Sequence, residues 1–111
     1  MEIKETLSAI KKKAEVLDKI KCELGREELL AQLAEECAEL GQAALKLRRG
    51  LDGRNVTPVS VLDAELDLQE EMADVLLLMV MCGMEDGEMA ETIYKKVPRW
   101  YGRLGLEIKT F

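Results

Sequence analysis

The sequence predicts an all-α domain of four helices, and three observations predict it. Apolar residues recur at steps of three and four over long stretches, as in Ile3, Leu7, Ile10, Ala14, Leu17, Ile20 and Leu24, which is the period of a helix with one buried face. Turn-forming residues separate these stretches: Gly25, the run Gly50, Asp52, Gly53, Asn55, and Glu85-Asp86-Gly87. The chain has 111 residues, 48% of them hydrophobic, and contains no internal repeat or low-complexity segment, so residues 1–111 read as one domain with its own core.

The first helix is expected over residues 2–24, with Lys11, Lys12 and Lys13 on its outer surface and Gly25 at its end. The second runs from Arg26 to Arg49, where Lys46, Arg48 and Arg49 suit the negative pole of the helix dipole before Gly50 stops it. Two start signals precede the third helix: Thr57-Pro58, an N-cap followed by proline, and Ser60 with Asp63, a capping box. That helix is expected over Val61 to Gly83. Its second half, Val75 to Cys82, is apolar on every side, so we expect it to pack against another subunit. Asp86 can cap a fourth helix with an apolar side of Ala90, Ile93, Tyr94, Val97, Tyr101 and Leu104 and a basic stripe of Lys96, Arg99 and Arg103. Pro98 is expected to kink or break it, and the tail from Gly105 to Phe111 has no periodicity.

Composition narrows the chemistry. The net charge of -6 gives no reason to expect nucleic-acid binding through a basic surface. There is no histidine, which removes His-based zinc sites, Ser-His-Asp and Cys-His catalysis, and Glu-x-x-His di-iron bundles. Cys22, Cys37 and Cys82 are odd in number, far apart and within helical stripes, so they read as small buried hydrophobes in a reducing, cytoplasmic setting. The first residues are charged and form no apolar signal region, and the longest apolar run, Val75 to Met84, is about half of what a membrane span needs. Neither secretion nor membrane insertion is expected.

Two acidic runs carry the functional signal: Glu35-Glu36-Cys37-Ala38-Glu39 and Glu70-Glu71-Met72-Ala73-Asp74. In each, two acids spaced i, i+3 share a helical face. Taking Leu29, Leu33, Cys37, Leu40, Ala44 and Leu47 as the inward stripe, Glu36 falls roughly 60° and Glu39 roughly 120° from its centre, with Glu35 nearly opposite. Taking Leu68, Met72, Val75, Met79 and Cys82 as the second stripe, Glu71 falls within roughly 40° and Asp74 at about 100°. Carboxylates on the flank of a core need compensation, because an unpaired buried charge costs several kcal/mol. They can find it in solvent, in Lys46, Arg48 or Arg49, or in a bound cation. Oxygen ligands without imidazole or thiolate select hard cations, Mg²⁺ first and Mn²⁺ as a substitute.

The residues Ala34-Glu35-Glu36-Cys37-Ala38-Glu39-Leu40, the loop Asn55-Val56-Thr57-Pro58-Val59-Ser60 and Glu70-Glu71-Met72-Ala73-Asp74-Val75-Leu76 resemble the MazG-type nucleoside triphosphate pyrophosphohydrolases of the all-α NTP pyrophosphatase superfamily. The resemblance covers most of residues 25–104; the first helix matches only in pattern. It implies an oligomeric, antiparallel four-helix bundle of the MazG-like type that hydrolyses an NTP or dNTP to the monophosphate and pyrophosphate with Mg²⁺, a house-cleaning activity. It implies Glu36, Glu39, Glu71 and Asp74 as metal ligands and catalytic residues, and Lys96, Arg99 and Arg103 as phosphate-binding residues. It also implies a dimer or a dimer of dimers. The chain departs from the family pattern in a long segment from Leu40 to Glu70, in Pro98 within the basic stripe, and in Leu29 where many members carry glutamine. The alternative expectation, from another class, is a non-catalytic helical bundle that keeps its acids for solubility.

Overall fold

The structure, a computed structural model, describes residues 2–53, 60–83 and 86–106. The described residues are all-α, with helices α1 (Lys4–Lys12), α2 (Ala14–Leu24), α3 (Arg26–Asp52), α4 (Val61–Met81) and α5 (Asp86–Arg103).

The N-terminal segment, expected as one helix, is two. At Lys13 the backbone opens to φ -102°, ψ 7°, and its N–H is shared between the carbonyls of Ala9 at 3.2 Å and Ile10 at 3.1 Å. No glycine or proline marks this position; the cause is tertiary. Thr6, Ala9, Ile10 and Lys13 lie beside Ala73, Leu76 and Leu77, while Ala14, Leu17 and Asp18 lie over Val80 and Met81. The bend lets α1 follow the flank of α4 while α2 covers its end.

Helix α3 begins after Gly25 (φ 78°) and runs through Gly50, the expected stop, to Gly53. A glycine inside a helix costs only about 1 kcal/mol relative to alanine, too little to end one whose next residues remain helical. Gly53 ends it by adopting the left-handed φ of 73° and donating its N–H to the carbonyl of Arg49. Of the two expected start signals for α4, Ser60 is the N-cap, its Oγ accepting the Asp63 N–H at 3.4 Å; Thr57-Pro58 lies outside the described residues. Helix α5 is continuous through Pro98 rather than interrupted by it. The half-turn after it closes through Gly105, φ 70°, with the N–H of Leu106 reaching the carbonyl of Tyr101 at 3.3 Å.

Helices α3 and α4 form an antiparallel pair and carry most of the interhelical contact, with α2 packed on both and α1 on α2. Lys46 lies 3.7 Å from Asp67, Gly50 lies against Val61, and Leu29 meets Leu78 and Met81 at the other end. The core there is Leu17, Leu29, Leu78 and Met81, joined by Ile10, Leu33, Leu77, Val80 and Cys82; Leu29 is fully buried. Helix α5 has no comparable interface with any other helix.

The buried face of each central helix is rotated from the one the pattern suggests. On α3, Leu29, Leu33, Glu36, Leu40, Ala43 and Leu47 are buried or half-buried while Cys37 and Ala44 are exposed, which moves the stripe by roughly 40° and places Glu36 near its middle. On α4, Ala64, Leu68, Glu71, Val75 and Leu78 lie inward while Met72 is exposed. The cysteines follow the same correction: Cys22 and Cys37 are exposed and Cys82 is half-buried, all free thiols rather than a buried set.

The chain is open for its size. Its radius of gyration is 17.2 Å, against about 13 Å for a compact domain of this length. Its accessible surface is 9324 Å², where a compact monomer of this mass exposes roughly 6,200 Å². Much of the excess is apolar: Leu62, Leu66 and Met72 on α4 and Ile93, Tyr94, Val97, Trp100 and Leu104 on α5 are all exposed. Among the described residues no helix is long and apolar enough to cross a membrane.

Candidate functional site: an acidic cluster between α3 and α4

The antiparallel pairing of α3 and α4 brings the two acidic runs to the same level. Each of Glu36, Glu71 and Asp74 offers a carboxylate oxygen, and these atoms lie within 4.8 Å of one another. Glu36 and Glu71 are half-buried, and Glu36 Oε2 and Glu71 Oε2 are both sealed from solvent with no hydrogen-bond partner. Sealed carboxylate oxygens without donors are uncommon, because their desolvation is not repaid. Among the described residues no base pairs with them: Lys46 contacts Asp67, and Arg48 and Arg49 are exposed.

Protonation records the same crowding. Burial, then the charge of Glu39, then the neighbouring Glu71 carboxyl push the Glu36 carboxyl up from 4.5 to about 7, with Asp74 adding to the effect. Glu71 is also raised, by burial first and the charge of Glu39 second. The cluster is thus an all-oxygen donor set that is short of positive charge, and a proton is what relieves it when nothing else does. Three carboxylate oxygens at this spacing can hold one hard cation.

Glu39 stands apart from this triad. It is exposed but lines, with Glu71, Gln42, Lys46, Arg49 and Asp67, an open groove of about 670 Å³ along the α3–α4 seam. Glu35 is exposed, as its angular position required. Lys96, Arg99 and Arg103 lie on α5, all exposed, and none of them lines the groove. Gln32, a turn beyond buried Leu29, donates from Nε2 to Glu28 Oε1 at 3.2 Å. The α5 aromatics Trp100 and Tyr94 are largely exposed. From sequence Lys46 and Arg49 suit the helix dipole and are candidate partners for the acids, but their place in the groove emerges only from the pairing with α4; the signal available is their spacing from Glu39 at i+7 and i+10.

No family model matches the chain, and no curated protein or solved structure matches it either. The class that fold and site define is therefore an all-α protein with an acidic cluster between two antiparallel helices.

Proposed function

We propose that this protein is a Mg²⁺-dependent nucleoside triphosphate pyrophosphohydrolase of the MazG-like kind, cleaving an NTP or dNTP to the monophosphate and pyrophosphate. The observation that carries the reading is the meeting of Glu36, Glu71 and Asp74 with two sealed, unpartnered oxygens. A solvated acidic face would leave its oxygens wet; this one withdraws them and supplies no donor.

The residues suit a hard divalent ion. Glu36, Glu71 and Asp74 would hold it, with Glu39 beside them at the groove. When bound, Mg²⁺ supplies charge neutralisation for phosphate oxygens and a lowered pKa for a coordinated water. The chain's own contribution is position: α3 and α4 fix the carboxylates from two rigid helices, and burial keeps bulk water from competing for their inner oxygens. The same burial raises the Glu36 carboxyl to about 7, so holding a cation there would require Glu36 to give up its proton.

The finer architecture belongs to the same proposal. The chain forms a four-helix-bundle assembly, as a dimer or a dimer of dimers, through α4, whose apolar half is only partly covered by its own chain and whose Leu62, Leu66 and Met72 are exposed, and through the exposed apolar stripe of α5. The surplus of roughly 3,000 Å² of surface over a compact monomer supports this, since a stable dimer buries about 800 Å² or more per partner. Lys96, Arg99 and Arg103 then bind substrate phosphates from an α5 that finds its packing in the assembly. The setting is cytoplasmic.

The test is pyrophosphate release from a panel of NTPs and dNTPs with Mg²⁺, and with Mn²⁺ as substitute. Glu71→Gln is expected to lower turnover by roughly a hundredfold or more, the scale of removing one preorganised group at a centre where charge develops, while leaving the thermal midpoint of the metal-free protein unchanged or higher. If no nucleotide yields pyrophosphate and Mg²⁺ leaves the melting curve where it was, the chain is a non-catalytic helical bundle instead.

A further inference from the structure

Both cations that line the α3–α4 groove lie toward one end of it. The carboxylates of Glu39, Glu70 and Glu71 stand at the other end, and Lys46 and Arg49 share theirs with Asp67. Along α3 these cations lie seven and ten residues beyond Glu39, about 10 and 15 Å by helical rise, on the same side of the helix. Their side chains are long enough to reach back over the space between. The groove's volume of about 670 Å³ falls in the range of roughly 300–1,000 Å³ found for small-molecule sites.

We propose that Lys46 and Arg49 hold the two outer phosphates of a nucleoside triphosphate, the pair that departs as pyrophosphate. The placement rests on the pyrophosphohydrolase reading above and assigns the direction in which substrate lies: the α-phosphate beside the carboxylate cluster, the β- and γ-phosphates toward the end of α3. Arg49 makes no ion pair among the described residues. Among the described residues Lys46 makes a long, solvent-exposed contact of 3.7 Å with Asp67, weak enough to exchange for a phosphate. A guanidinium and an ammonium side by side match the two sites that a diphosphate end presents, one bidentate and one point-like.

The reaction gives the pair its use. Water's oxygen bonds to the α-phosphorus, and the bond from that phosphorus to the α–β bridging oxygen breaks with its electron pair remaining on pyrophosphate; water's proton passes to solvent. Negative charge therefore grows on the departing diphosphate, and cations already placed there stabilise it more in the transition state than in the ground state.

Isothermal calorimetry of the full chain with Mg²⁺ alone, and with magnesium pyrophosphate, tests the assignment alongside steady-state kinetics on triphosphate and diphosphate nucleotides. Lys46→Ala and Arg49→Ala are each expected to weaken pyrophosphate binding about tenfold, the value of one charge-assisted hydrogen bond. They should also raise KM for triphosphates and narrow the preference over diphosphates. Binding of Mg²⁺ alone should be unchanged, Lys46→Arg should retain most of the affinity, and Lys95→Ala, which removes the same charge from α5, should behave as wild type. Wild-type pyrophosphate affinity and KM in both alanine variants of an active enzyme would overturn the placement and leave the function standing. Pyrophosphate binding that depends on Lys46 and Arg49 in a chain that hydrolyses nothing would do the reverse.

Discussion

The α3–α4 pair and helix α5 invert the usual relation between pattern and packing. Helices α1 and α5 separate apolar from polar residues most sharply, and α3 and α4 do so least. Yet α3 and α4 are the pair that packs, with Glu36 and Glu71 on the face they share, while the apolar side of α5 stays exposed. A clear stripe reports that a helix has something to bury. It does not report that the partner is in the same chain. An interrupted stripe, conversely, is what a helix shows when its buried face also carries charge, which is tolerated there only for a compensating gain.

The sharpest way to break this contrast is to shorten a side chain in each region. Leu29→Ala, at a fully buried position, is expected to cost about 2–5 kcal/mol in urea unfolding. Ile93→Ala on α5, where the side chain is 54% exposed, should cost under about 0.5 kcal/mol at the lowest protein concentrations, and more as concentration rises if α5 forms an intersubunit contact. Equal losses at all concentrations would show that α5 is packed within its own chain.

Acid content gives the next comparison. Glu36 binds its proton more tightly folded, near 7, than unfolded, near 4.5. Without metal, its contribution is therefore least unfavourable below about pH 4.5, worsens through the interval up to about 7 and stays unfavourable above it. Melting in EDTA should show a midpoint that falls from pH 5 to 8, and Glu36→Gln should flatten that slope while Mg²⁺ raises the wild-type midpoint at pH 8. A slope untouched by Glu36→Gln would mean the cluster is better solvated than its sealed oxygens indicate.

Smaller effects sharpen the picture at the helix ends and surfaces. Ser60→Ala removes the cap of α4 and should cost about 0.5–1 kcal/mol, read as a lower urea midpoint with an unchanged slope. Lys95→Ala breaks the Glu91 contact of 3.6 Å on α5, and should cost no more than about 0.3–0.5 kcal/mol. A larger loss would again signal that α5 is held in place by something beyond its own surface charges.

The Ser60 cap, the left-handed Gly25 and the all-helical class were legible because each depends on neighbours in sequence: a hydroxyl three residues from an N–H, a residue without a Cβ, a period of 3.6. The bend at Lys13 and the passage of α3 through Gly50 were not. Both are settled by energies of about a kilocalorie per mole, which packing against α4 readily outweighs.

By itself the sequence determined that the chain is helical, where its acidic runs fall, and that Glu35 points away from them, since helical angle follows from residue number alone. Only the tertiary structure decided which face of each central helix turns inward. Rotating α3 and α4 by a few tens of degrees leaves every local preference intact, but it exchanges Cys37 and Met72 for Glu36 and Glu71 at the seam and lays Lys46 and Arg49 along one groove with them. That choice belongs to the fit between two surfaces, and no window of a single helix contains it.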